Sequence, residues 1–397
     1  MSDRRLLLCT RSLRLFAYGA LAVVLVFYLT ELGFATAQIG LLLTLTLVGD
    51  TVVSLLLTTR ADRLGRRRIL IAGAVLMVAA GLVFAVTRNF VVLLLAGTLG
   101  VISPSGNEVG PFLPIEQAAL AQVVPPGLRT SAFAWYTLAG AVATAVGSLA
   151  GGGLSTVYHS YRIVVVVYAV IGVLLAISFT RLSPEVEVTV GEHQSLLGIG
   201  ASRGIVLKLA SLFALDAFAG GFVVQSFAAY WFYLRFGVGP ATLGAIFFGA
   251  NVLAGISALL ASRLAARFGL VRTMVFTHLP SNVLLILVPL MPTLPLAVAV
   301  LFARFSISQM DVPTRQSYLM AVVAPEERSA AAGITGVART TGAAIAPLFA
   351  GFMLGRAGLI NAPFFIAGAL KIVYDLVLYR AFVKLRPAEE KISTGHA

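Results

Sequence analysis

The 397-residue chain is 59% hydrophobic and only 11% charged, with a mean hydropathy of +0.96. Soluble domains carry about 25% charged residues, so a soluble globular core is excluded, and a single cysteine, Cys9, leaves no disulfide framework or Cys-based metal site. The net charge of +13 would suit a nucleic-acid binder, but its placement along the chain points to a bilayer instead.

Apolar runs recur about every 20 to 30 residues, the span of one bilayer-crossing helix. Twelve are counted, at 13–30, 38–57, 69–87, 90–123, 131–152, 161–180, 206–233, 240–262, 273–290, 294–323, 331–355 and 363–383. They are far too long for barrel strands, so the expectation is an all-α polytopic membrane protein of 12 transmembrane helices. With the N-terminus inside and the spans alternating, the inside segments hold Arg4, Arg5, Arg11, Arg14, Arg60, Arg63, Arg66, Arg67, Arg68, Arg129 and most later basic residues. The outside segments hold only Arg88, Arg162, Arg235 and Arg356, and Arg304, Arg315, Arg339 and Lys371 fall inside spans. The positive-inside rule then accounts for the basicity without a nucleic-acid partner and puts both termini in the cytoplasm. The start, MSDRRLLLCTRSLRLF, runs into a full span with no small-residue cleavage site and reads as an uncleaved first helix.

After the second span, Asp62, Arg63, Gly65, Arg66 and Arg67 fit the pattern D-R-x-G-R-R. Gly65 permits a tight turn between helix ends, and Asp62 is placed to bond a helix N-terminus or an arginine. The fourth span is interrupted. From Gly65 to Arg129 is 64 residues but from Gly269 to Arg328 only 59, and ISPSGNEVGPF, with Pro104, Gly106, Gly110 and Pro111, accommodates the extra five. Backbone freed by such a break either coordinates a ligand or ion, or is filled by neighbouring side chains. Residues 181–205 form the only long polar connection. Its Glu185, Glu187, Glu192 and His193 fit no metal geometry, so it reads as a solvated cytoplasmic linker.

The seventh span brings Asp216, Gln225, Tyr230, Trp231 and Tyr233, the eighth Asn251, and the twelfth Lys371 and Asp375 at i, i+4, where they can neutralise each other. The segment Arg304–Arg328 carries charge among apolar runs. Read as one helix, its Arg304, Ser308, Asp311 and Arg315 share a face. Shifted by 199 positions, Pro114–Arg129 aligns with Pro313–Arg328 without gaps: Pro114, Gln117, Leu120, Val123, Val124, Pro126 and Arg129 all recur. The chain reads as two copies of one membrane unit, with Glu116 standing where the second copy has Arg315 and Phe112 where it has Asp311.

These features resemble the major facilitator superfamily, whose loop after the second helix reads G-x-x-x-D-R-x-G-R-R. Here Thr58 replaces the first glycine, and the second copy, SRLAARFGLVR, has Ala266 in place of the aspartate. The fifth span, Gly147-Ser148-Leu149-Ala150-Gly151-Gly152, is similar to the G-P-x-x-G-G of that family's exporters with serine for proline, and it is equally well explained by close packing of small residues. The resemblance implies two pseudo-symmetric six-helix bundles, 1–181 and 206–397, joined by a cytoplasmic linker at 182–205. It also implies a cavity lined by helices 1, 4, 7 and 10, with Lys371 and Asp375 on a peripheral, structural helix. By that likeness Asn107, Glu108, Glu116, Asp216, Gln225, Arg304, Asp311 and Arg315 lie on the substrate or proton path, and Glu116 and Arg315 set opposite charges at matching depths. Asp62, Arg63, Gly65, Arg66 and Arg67 would then form the cytoplasmic gate motif.

Glu108, Glu116 or Asp311 is placed to carry a coupling proton, and Arg304 or Arg315 to bind an anionic group. The expected activity is secondary transport by alternating access in the cell inner membrane, with proton-coupled efflux of a small organic solute or drug first. Proton-coupled uptake of a small, anionic solute is the alternative. The expected partners are a small-molecule substrate and lipid, the protein acting as a monomer without a cofactor other than the coupling proton. A catalytic function has no support: there is no nucleophile elbow, P-loop or H-E-x-x-H, and His159, His193, His278 and His396 do not cluster.

Overall fold

Within a bilayer every backbone polar group must be bonded internally, and a chain of long apolar runs meets that demand by forming helices. The computed structural model describes residues 2–58, 61–124, 129–187, 202–323 and 327–385, and the secondary structure there is helical. The helices are α1 (Asp3–Glu31), α2 (Thr36–Thr58), α3 (Ala61–Leu64), α4 (Arg66–Val86), α5 (Phe90–Leu99), α6 (Phe112–Val123), α7 (Arg129–Val157) and α8 (Arg162–Phe179). After the linker come α9 (Arg203–Gly221), α10 (Gln225–Phe236), α11 (Pro240–Phe268), α12 (Leu270–Leu287), α13 (Leu294–Ser308), α14 (Asp311–Val322), α15 (Arg328–Leu354) and α16 (Ala362–Phe382). Eleven helical stretches are long and apolar enough to cross a membrane, and α5 with α6 supplies the interrupted fourth span.

The internal repeat survives as structure. α6 and α14 are each 12 residues long, and their first residues, Phe112 and Asp311, stand 199 positions apart, as do Arg129 and Arg328 at the starts of α7 and α15. Gly65 and Gly269, which precede α4 and α12, share a positive φ of 96° and 85°, the left-handed region that glycine enters without steric cost. One expectation is corrected here. Arg304 and Arg315 do not lie on one continuous helix, because α13 ends at Ser308 and α14 begins at Asp311.

The chain forms two compact units. The first holds Met1–Gly191, Val224–Val252 and Pro347–Gly355; the second holds Glu192–Val223, Leu253–Ala346 and Arg356–Ala397. In the first unit α1 is the central element, its residues Tyr18–Leu29 all buried and its length packed along α7. Small residues set that approach: a Cβ added at Gly147 would stand 2.1 Å from the carbonyl oxygen of Phe16, and one at Gly151 2.3 Å from that of Ala20. The fifth-span glycines therefore work as close-packing positions. The second unit is cored by Phe213, Met274, Tyr318, Tyr374, Leu378 and Phe382 with smaller apolar neighbours.

Candidate functional site

The first unit buries four charges beside one another. Arg14, on α1, has a fully buried side chain and bridges two carboxylates. Its Nη1 and Nη2 donate to Glu116 Oε1 and Oε2 at 2.9 and 2.8 Å, the two-pronged geometry in which a guanidinium holds a carboxylate best. Its Nε and Nη2 reach Glu108 at 3.1 Å each, and Arg11 Nη1 meets Glu108 Oε1 at 2.6 Å. Thr10 Oγ1 donates to Glu116 at 2.9 Å, and the Tyr136 hydroxyl donates to the same carboxylate. The Arg11 guanidinium lies over the Tyr136 ring and that of Arg14 over Phe112, 4.1 and 4.5 Å from the centroids. Two cations thus face two anions, and the desolvation cost of each is offset by a partner and by further hydrogen bonds.

This corrects the reading of the basic N-terminal segment. Arg11 and Arg14 are not cytoplasmic-flank residues but buried members of the first span. An arginine three or four residues from the end of an apolar run looks the same in either role; only the acidic partners on the fourth span distinguish them.

The fourth-span break lies beside this network. Residues 100–111 leave the helix between α5 and α6, and neighbouring groups bond the freed backbone. Gly110, at φ +79°, donates its N–H to Asp50 Oδ1 at 2.5 Å. Pro104 accepts from the N–H of Ser226 at 3.2 Å, and the Asn107 carbonyl accepts from Ser103 Oγ at 2.7 Å. Asn107 itself is exposed. Asp50, on α2, is buried; its other bond is from Ser54 Oγ at 3.3 Å, and among the described residues no cation is within ion-pair distance of it. Gln225 joins neither charged group. Its amide nitrogen donates to Ser148 Oγ at 3.1 Å, and the Asn251 amide donates to Gln225 Oε1 at 3.2 Å.

A second buried network occupies the second unit around Asp216 on α9. Lys371 Nζ lies 2.5 Å from Asp216 Oδ1, and Arg315 Nη1 lies 3.0 Å from Oδ2 and 3.3 Å from Asp311 Oδ2. His278 stands between two carboxylates, with Nδ1 2.9 Å from Asp375 and Nε2 3.8 Å from Asp216. Asn282 donates to Asp375 at 2.9 Å. Lys371 and Asp375 therefore do not neutralise each other on a peripheral face; each serves a different partner in the Asp216 network. His278 has no helical-spacing signal of its own, and only the packing of α12 against α16 reveals it. Glu116 and Arg315, opposed in the repeat, are each satisfied inside their own unit. Arg304 lies in the same unit as Asp216 but forms no ion pair or hydrogen bond.

The loop motif is partly described. Gly65 makes the left-handed turn, and Arg66 Nη1 donates to Gln122 at 2.9 Å and to the Val186 carbonyl at 3.2 Å. The side chains of Asp62 and Arg63 lie outside the described residues, as do Glu192 and His193 in the linker. The start of α4 is instead capped by Glu187, whose carboxylate accepts from the backbone N–H of Arg66 at 2.7 Å and of Arg67 at 3.1 Å. Glu187 was grouped with the solvated linker; it is a helix cap, favoured by the partial positive charge of a helix N-terminus.

A membrane chain of twelve helical spans, repeated in two halves and carrying ion networks inside its spans, defines the carrier class. The sequence matches the Major Facilitator Superfamily over residues 7–303 and again over 209–397, and the chain belongs to that family. It is 31% identical over 435 residues to an uncharacterised membrane protein of Saccharomyces cerevisiae, covering 99% of this chain and 97% of that one. It is 28% identical over 141 residues to the quinolone resistance protein NorA of Staphylococcus aureus, covering 36% of this chain and 35% of that protein. Its fold matches the crystal structure of the nucleoside transporter NupG with a TM-score of 0.78 at 15% identity, over 96% of this chain and 99% of that one. The protein is a multi-pass, secondary-active transporter that moves a small solute by alternating access, and the family is one of carriers rather than catalysts.

Proposed function

We propose that this carrier exports a small organic solute or drug in exchange for protons across the cell inner membrane, with both termini in the cytoplasm. The observation that carries proton coupling is Asp50, a buried carboxylate in a membrane span whose bonds come only from the Gly110 N–H and Ser54. An ionised group at such depth costs about 2.5–3.5 kcal/mol on insertion scales, and protonation removes that cost without breaking an ion pair. Beside it, the Arg14 bridge offers Glu108 and Glu116 one shared cation, so a proton on either carboxylate redistributes the other's hydrogen bonds. Asp311 and Asp216 stand in the same relation to Arg315. Export is favoured by the NorA-like stretch and by the fifth-span Gly147–Gly152 pattern. The moving bodies are taken as the six-helix bundles 1–181 and 206–397, with 182–205 as their linker, in a monomer.

Proton-coupled uptake of an anionic solute is the second reading, favoured by the unpaired Arg304 in the second unit. Everted membrane vesicles with an acid interior separate the two, accumulating the solute under exchange and losing it under symport. The coupling assignment is abandoned if Asp50→Asn, Glu116→Gln and Asp311→Asn all leave pH-gradient-driven flux unchanged.

A further inference from the structure

Two arginines in the second unit have no partner. Arg304 on α13 and Arg339 on α15 each bury an Nε that meets no acceptor, and neither forms an ion pair or any other hydrogen bond among the described residues. Both residues keep some accessible surface, so the terminal nitrogens are not sealed off. Asp216 and Asp311 lie within electrostatic reach of each, and Arg315 acts on Arg339. Those carboxylates are already engaged: Asp216 by Lys371 and Arg315, and Asp311 by Arg315.

Charge counting leads the same way. Around Asp216 the second unit gathers four permanent cations, Arg304, Arg315, Arg339 and Lys371, against three carboxylates, Asp216, Asp311 and Asp375. The first unit, by contrast, matches Arg11 and Arg14 with Glu108 and Glu116. Cations in membrane spans are expensive and are ordinarily paired, and a guanidinium offers a planar fork of donors suited to a carboxylate or phosphate. We propose that Arg304 and Arg339 form an anion site that takes the carboxylate or phosphate group of the carried solute. The inference rests on the carrier reading above and adds a substrate class to it: a small organic anion whose charge completes the network. Arg339 is thereby a binding residue alongside Arg304, and Asp216 and Asp311 are positioning residues that hold the site's potential below that of four bare cations.

The test uses the full-length protein in detergent at constant ionic strength, titrated with benzoate, inorganic phosphate and, as a neutral counterpart, benzamide. Thermal unfolding and calorimetry read the binding. Benzoate or phosphate is expected to raise the unfolding midpoint saturably, whereas benzamide does not. Arg304→Gln and Arg339→Gln should each weaken that binding at least tenfold, with partial recovery in Arg304→Lys and Arg339→Lys. Arg162→Gln, an exposed change of equal charge, should leave it intact. The proposal is overturned if neither anion stabilises the wild-type protein beyond chloride, if benzamide binds equally well, or if both glutamine variants bind as the wild type does. The wild-type titration decides even where a variant fails to fold. Failure here with persistent pH-gradient-driven flux of a neutral solute removes the anion site and leaves the carrier reading standing. Retained anion binding with no gradient-driven flux of any solute removes the coupling and leaves the site.

Discussion

At the scale of single residues, Arg14 has the most at stake. Its guanidinium serves Glu108 and Glu116 together, so Arg14→Met leaves two buried carboxylates without their shared cation. Breaking a buried pair from one side costs about 3–5 kcal/mol, and thermal or denaturant unfolding in detergent should show a loss of that order. Combining Arg14→Met with Glu116→Gln should destabilise by less than the sum of the two, because the second change removes one stranded charge. Asp50→Asn differs in kind. The amide oxygen can still accept from Gly110 N–H, so stability should change little while the pH dependence of transport is lost; unchanged pH dependence would clear Asp50 of any part in coupling. Most of these acidic residues were legible in the sequence because charge stands out in an apolar run. Arg11, Arg14 and His278 were not, since nothing in their local spacing separates a membrane flank or a lone imidazole from a network member.

Among elements, the α1–α7 contact and the cap on α4 are the most informative. Gly151 admits no side chain against Ala20, whereas a Cβ at Gly153 meets nothing within 4 Å. Gly151→Leu should therefore separate the two helices and cost more than the roughly 1–3 kcal/mol of ordinary overpacking. Gly153→Ala should be neutral, and comparable yields of folded protein from the two variants would contradict the packing account. Glu187→Ala removes the carboxylate that receives the first N–H groups of α4. A loss of about 1 kcal/mol is expected, visible as earlier exchange of the Arg66 and Arg67 amides. The glycine stripe could be read from sequence because small residues recurred at helical spacing. The cap could not, because 120 positions separate Arg67 from Glu187, and a glutamate in a polar linker carries no mark of where it folds back.

For the whole molecule, alternating access demands that some contacts within the first unit break during each cycle. Ser148, Gln225 and Asn251 form one polar cluster from α7, α10 and α11, and it costs little to open because amides and hydroxyls are readily exchanged for water. With Cys9 replaced, a thiol cross-link between Ser148→Cys and Asn251→Cys should cut transport at least tenfold and release it on reduction. Full transport in the cross-linked protein would mean that this cluster stays closed throughout. In proteoliposomes, solute counterflow without conductance is the matching functional signature, whereas unitary currents would indicate a pore.

The sequence by itself determined the membrane class, the helical spans, the two-copy plan and the interruption of the fourth span. All of these follow from hydropathy, residue spacing and backbone chemistry local to each segment. Its 199-residue repeat even set the limits of α6 and α14. What only the tertiary structure decided was which charges meet. Glu116 turned to Arg14 in its own unit, Lys371 left Asp375 for Asp216, and Arg304 and Arg339 were left without partners. Pairing between buried ions depends on side chains converging from helices far apart in the chain, and a one-dimensional pattern records their identities but not their distances.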